Sequence, residues 1–167
     1  MDFKTNDGVV NIFRNLNCLG MDNCYFVTFR DTNSEAFKYG ALGAVGGALG
    51  AAAAFSSGMV EGMKNYDGLL INQTENGLGI IPLVTQGVQL MLNPDKMVAE
   101  PNRFFFIPNQ YIASIIVKKF NIFNKKTQKV RIKLTDGTEF KLLAHVSEKN
   151  ISYQESNFAK FMNKYSK

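Results

Sequence analysis

The stretch 39–60 constrains this chain more than any other. It reads YGALGAVGGALGAAAAFSSGMV, 22 residues without a charge, of which 6 are Gly and 7 are Ala. Small residues recur at Ala36, Gly40, Gly43, Gly47, Gly50, Ala54 and Ser57, alternately four and three apart. On an α-helix this spacing lays them in one stripe, with Leu42, Val45, Leu49 and Val60 roughly opposite. A stripe of small residues lets a second backbone approach closely, the packing logic of a glycine zipper, most familiar inside membranes. Thr32 and Glu35 fit the N-cap and N3 positions of a capping box just ahead of the run.

Intrinsic propensity opposes a helix here. Each interior Gly costs about 1 kcal/mol relative to Ala, so the five between positions 40 and 50 cost roughly 4–5 kcal/mol. A helix over this run therefore needs a packing partner. Three arrangements meet the constraint: a helix packed in a soluble or oligomeric form, a membrane-associated helix, or a mobile Gly/Ala loop. Larger apolar residues make up only about a third of the run, which drives bilayer insertion weakly.

The remaining chain reads mainly as β. Val9, Val10, Asn11, Ile12 and Phe13 suggest a first strand, and residues 24–30 a stronger one rich in β-formers. Residues 69–74 and 78–84 flank Glu75-Asn76-Gly77, a hairpin signal. Further strands are expected at 88–92, at 104–107 before Pro108, and at 112–118 with an extension through Phe120, Ile122 and Phe123. Val130, Ile132 and Leu134 alternate with Arg131, Lys133 and Thr135, giving one dry and one wet face. Asp136-Gly137 turns the chain into a returning strand carrying Phe140, Leu142 and Ala144. Ser152 and Glu155 form a second capping box, and Phe158, Phe161, Met162 and Tyr165 follow at helical spacing. A sheet followed by one amphipathic helix implies that the helix covers the open side of a curved sheet.

Ile107-Pro108-Asn109-Gln110-Tyr111-Ile112, the hairpin over 130–142 and the terminal helix together resemble the pleckstrin-homology (PH) superfold, especially its bacterial and GRAM-like members. The resemblance covers roughly residues 66–166, with residues 25–30 as a first strand. It implies an α+β, mainly β fold: a PH-like curved antiparallel sheet or barrel with a C-terminal capping helix. The chain is then one domain, 1–167, interrupted by a Gly/Ala-rich helical insertion over 36–63. Family members are mostly lipid- or peptide-binding modules, which implies a binding role here, and no ligand residue carries over.

Charge is uneven along the chain, which has a net +5. Lys118, Lys119, Lys125, Lys126, Lys129, Arg131 and Lys133 fall within sixteen residues that contain no acid. Residues 61–100 instead carry five acids against two lysines. The basic run can dock on anionic headgroups, or it can be a solvated strand face whose lysines protect a sheet edge. Phe120 and Phe123 interleave with it, as in single-strand binders. Aromatics along a strand more usually face a core, however, so nucleic acid is the disfavoured partner.

Chemistry is sparse. Cys18 and Cys24 lack further Cys or a nearby His and read as reduced thiols in a cytoplasmic protein. His145, the single His, has no second ligand for a metal and no evident nucleophile. The Gly-rich run lacks G-K-[ST] and a surrounding βαβ pattern, so it reads as neither a phosphate loop nor a dinucleotide fingerprint. The expectation is a non-enzymatic module without cofactor. It would associate with itself as a homo-oligomer, or with a membrane surface, through the stripe Gly40, Gly43, Gly47, Gly50 and Ala54. A soluble peptide- or protein-binding adaptor and a nucleic-acid-binding β-domain are the alternatives.

Overall fold

The computed structural model describes residues 2–31, 37–38, 66–87, 93–121 and 123–165. The stripe Gly40, Gly43, Gly47, Gly50 and Ala54 lies outside the described residues, as do the capping box at 32–35 and the strand expected over 88–92. What is described is mainly β, in one antiparallel sheet of nine strands flanked by two α-helices.

The strands are β1 (Cys24–Arg30), β2 (Phe37–Lys38), β3 (Gly68–Gln73), β4 (Gly77–Thr85), β5 (Met97–Ala99), β6 (Phe105–Pro108), β7 (Ile112–Lys119), β8 (Thr127–Leu134) and β9 (Glu139–His145). Their order is β5-β4-β3-β1-β9-β8-β7, so the last strand returns to lie beside the first. β6 pairs with the first half of β4 where β5 pairs with the second, and β2 continues the β1 edge along β9. The expected hairpins are present. Asn72 faces Gly79 and Gln73 faces Leu78 across the Glu75-Asn76 turn. At Asp136-Gly137 the glycine has φ +88°, a left-handed conformation that favours Gly. Pro108 is the last residue of β6, opposite Gly77, so the strand stops there as the sequence implies, and an edge strand tolerates the missing N–H.

One expected strand is instead a helix. Asn6–Asn15 forms α1, with the Thr5 hydroxyl accepting from the Gly8 N–H at 3.1 Å. Val9 and Val10 favour strand locally, yet Val9, Ile12 and Phe13 lie at i, i+3 and i+4 and are all buried. Packing of that face overrides the β-propensity of two valines. α1 covers the outer face of the β1-β3-β4 half, where Val27, Phe29, Leu70, Ile81 and Leu83 complete its core. Gly79 lies under it: a Cβ there would meet the Cys18 sulfur and stand 3.4 Å from the Phe13 ring.

The opposite face of the sheet carries a second core. Phe26, Leu69, Ile71, Ile80, Val130, Ile132, Phe140 and Leu142 pack beneath the terminal helix α2 (Gln154–Tyr165), whose Phe158 and Phe161 are buried. The Phe161 ring lies 4.4 Å from Phe26 and 4.8 Å from Tyr165, centroid to centroid. This is the docked apolar stripe that the helical spacing predicts. The helix begins two residues after Ser152, and a buried glutamine takes over its first turn.

That glutamine joins the two halves of the sheet. β1 and β9 pair only at Phe29–Leu143 and Arg30–Leu142. Continued, the register would set Val27 against His145, but the strands diverge. The fully buried Gln154 amide fills the gap. Its Oε1 accepts from the Val27 N–H at 2.8 Å, and its Nε2 donates to the Val27 carbonyl at 3.0 Å and the His145 carbonyl at 2.9 Å. Asn157 extends the seam by donating to the Tyr25 carbonyl at 3.0 Å. Replacing Gln154 with Leu keeps the bulk and orphans the two buried backbone groups of Val27, each costing about 1–3 kcal/mol, together with the part-buried His145 carbonyl. Gln154→Leu is therefore expected to lose at least about 3 kcal/mol in urea unfolding; a loss within about 0.5 kcal/mol, the usual range of surface substitutions, would show that the seam is held otherwise.

Candidate anionic-surface site

The two halves of the sheet differ in what covers their outer faces. Over β1, β3 and β4 it is α1. Over β8 and the end of β7 among the described residues it is mainly solvent, and β8 alternates accordingly: Val130, Ile132 and Leu134 are buried while Arg131 and Lys133 are exposed. The register then decides which cations meet. Lys118 stands directly opposite Lys129, Ile116 opposite Arg131, and Ser114 opposite Lys133. Like charges directly across a strand pair destabilise it, so the Lys118–Lys129 rung is a local electrostatic cost.

The seven cations do not form one uniform patch. Glu139 on β9 stands 4.0 Å from the Arg131 guanidinium and 3.8 Å from the Lys141 ammonium, and faces Lys133 in register. That end of the face is partly neutralised. Lys118, Lys119, Lys125, Lys126 and Lys129 lie toward the β7–β8 loop, and among the described residues no carboxylate comes within ion-pair distance of them. Ile116, Lys118, Lys119, Phe120, Lys129 and Arg131 line a shallow groove of about 220 Å³ there. The Lys129 ammonium lies 5.2 Å above the Phe120 ring, a cation–π contact that helps to hold it on this face.

The β7–β8 loop differs from the sequence expectation. β7 ends at Lys119 and does not run on through Phe123. The Asn121 carboxamide oxygen accepts from the N–H groups of Phe123 and Asn124 at 3.0 and 2.6 Å, and that of Asn124 accepts from Lys126 and Thr127 at 3.0 and 3.1 Å. These two asparagine turns carry Phe123 out of the sheet, and it is 96% exposed. The asparagines at positions 121 and 124 were the available signal for that turn.

A second concavity, about 490 Å³, opens at the start of β1 among Asp22, Cys24, Gln73, Thr74, Glu75, Lys160 and Lys164. Its charges are of both signs. Glu75 caps the preceding loop by accepting from the Met21 and Asp22 N–H groups, and backbone hydrogen bonds, its own first, lower its pKa. The site selects neither anion nor cation. His145 pairs through Nδ1 with Glu148, three residues on, and lies 4.9 Å from the Phe29 ring. Among the described residues no three His, Cys, Asp or Glu side chains converge as a metal site.

Cys18 and Cys24 are free and buried, and burial pushes each thiol up to about 11. The Cys24 thiol donates to the Asn157 carbonyl at 3.0 Å. Only the thiolate reacts, so at pH 8 the native protein should be alkylated on the order of a hundredfold more slowly than an ordinary thiol of pKa about 8.5. Adding denaturant should release two fast-reacting thiols per chain. Fast labelling of either cysteine in the native state would contradict this burial.

No helix among the described residues is long and apolar enough to cross a membrane. Compared with models of known protein families, with curated proteins and with solved structures, the sequence and fold match none.

Proposed function

We propose that this chain is a non-enzymatic, PH-like interaction module that docks its basic β7–β8 surface on an anionic membrane. Two features support the PH-like frame: an antiparallel sheet whose last strand returns beside its first, and a terminal helix packed on one face of that sheet. The observation that carries the docking is the Lys118–Lys129 rung with Lys119, Lys125 and Lys126 around it, a set of cations that no described carboxylate neutralises. A like-charge rung that costs stability in the free protein is relieved when an anionic surface comes against it. Each basic residue at such a surface contributes about 1 kcal/mol, so five together give firm but salt-sensitive attachment.

Triple replacement of Lys125, Lys126 and Lys129 by Gln is expected to reduce co-sedimentation with phosphatidylserine-containing liposomes at least tenfold at low salt, since each lysine supplies about 1 kcal/mol. The gap between variant and wild type should narrow at high salt, because the screening length falls to about 3 Å at 1 M. Equal sedimentation of the two proteins at low salt would remove the electrostatic docking.

The same module would assemble with itself through the small-residue stripe over 36–63. Gly43, Gly47 and Gly50 share a face if the run is helical. Gly47→Val then overpacks the contact, at about 1–3 kcal/mol, and Leu49→Ala on the other face leaves it intact. A free linker behaves oppositely, since replacing Gly in an unconstrained segment is neutral or mildly stabilising. Light scattering should show a smaller assembly for Gly47→Val alone; an unchanged mass for both variants would reduce the stripe to a spacer.

A further inference from the structure

The geometry points to the β7–β8 loop as the part of this surface that enters the lipid, with Phe123 as an aromatic wedge set among lysines. This inference rests on the docking proposed above and adds which residue penetrates and how the module is oriented on the bilayer.

Phe123 contributes nothing visible to the fold. Its ring is 96% exposed, whereas Phe120, three residues earlier, is half-buried beneath Lys129. The backbone that presents it is nonetheless well braced. Asn121 and Asn124 accept four loop N–H groups between them. The Asn124 amide donates to the Thr127 hydroxyl at 3.1 Å, the Gln128 amide to the Lys125 carbonyl at 3.3 Å, and the Val146 N–H to the Lys126 carbonyl at 2.7 Å. The loop is thus tied to its own strand and to the residue following β9, and the N–H groups of Phe123, Asn124, Lys126 and Thr127 are satisfied within the protein. A tip of this kind can enter the headgroup layer with less loss of backbone hydration than an open loop.

Charge complementarity selects the occupant. Lys119, Lys125 and Lys126 are all exposed around the tip, with Lys118 and Lys129 behind it on the sheet. An aromatic ring placed among cations matches the boundary of an anionic bilayer. There the ring sits at headgroup level, and the long lysine stems keep their ammonium groups at the phosphates. A folded protein partner would instead be expected to present acidic side chains and an apolar pocket together, and the shallow groove beside the tip offers little area for such a body. A single-stranded nucleic acid would stack on the ring without burying it in hydrocarbon, and the test separates that case.

The chain has no Trp, so Phe123→Trp introduces a single reporter at a position that touches no core. With phosphatidylserine/phosphatidylcholine vesicles the indole emission should shift to the blue and be quenched by brominated acyl chains; with pure phosphatidylcholine vesicles it should do neither. Phe123→Ser should weaken vesicle binding roughly tenfold, the scale of removing one partly buried aromatic, while leaving the salt dependence of binding and the thermal unfolding of the protein unchanged. If both variants bind anionic vesicles like wild type and the indole stays solvent-exposed, insertion is wrong and the electrostatic docking stands. If wild type does not bind these vesicles at all, the docking itself fails and this inference with it. A blue shift with single-stranded oligonucleotide and none with vesicles would also overturn it, assigning the ring to base stacking.

Discussion

The sheet holds together because one side-chain amide stands in for missing strand pairing. An edge backbone buried without partners is costly, and β1 would present such an edge where it parts from β9. Gln154 supplies one acceptor and two donated bonds at that point, and Asn157 supplies another donor one turn later. Because both residues belong to α2, the polar seam and the apolar stripe of Phe158 and Phe161 dock together. The helix cannot leave the inner core without also opening the seam. The β1–β9 seam, helix position and core packing are therefore one cooperative arrangement rather than three.

The two faces of the sheet then divide the labour. α1 buries the outer face of the β1-β3-β4 half, and this explains why β3 is buried at every position and reads as an apolar run instead of an alternation. The β7-β8-β9 half has no such cover among the described residues, so its alternation is free to place charge outward. The basic run is exposed because α1 packs over the β1-β3-β4 half and the outer positions of β8 carry charge.

Much of this was legible in the sequence, and the failures have physical causes. Asn76-Gly77 and Asp136-Gly137 encode their turns locally, and period-two alternation in β8 reports a half-buried strand. The stripe of α2 reports its own docking face. The helix at the N-terminus did not announce itself, because two adjacent valines weigh toward strand and only the i, i+3, i+4 set Val9, Ile12 and Phe13 argues otherwise. Gln154 was invisible for a different reason: nothing local distinguishes a glutamine that bridges two strands from one in solvent. At the candidate site the cluster of lysines could be read directly, but its division could not. Glu139, just across the Asp136-Gly137 hairpin, partly neutralises the Arg131 end, and that follows from the exact β8–β9 register rather than from the charge count.

The register also sets the last described residue before the Gly/Ala stretch apart from the basic loop. Lys38, where the described chain breaks off before the Gly/Ala stretch, faces Glu139, and Glu139 faces Lys133 at the far end of β8. The β7–β8 loop lies at the opposite end, beyond Thr127, roughly 20 Å away at about 3.3 Å per strand residue. The root of the insertion and the basic tip are thus at opposite ends of the same strand. On the proposed reading, self-association through residues 36–63 need not occlude the lipid-facing loop. Each copy added to an assembly then contributes its own tip to the same surface, and linking weak sites raises avidity without any new contact. Five lysines and one phenylalanine make a salt-sensitive anchor alone, and on the proposed reading an oligomer with its tips on one side would hold more firmly still. On that proposal the small-residue stripe and the basic loop would act as parts of one device.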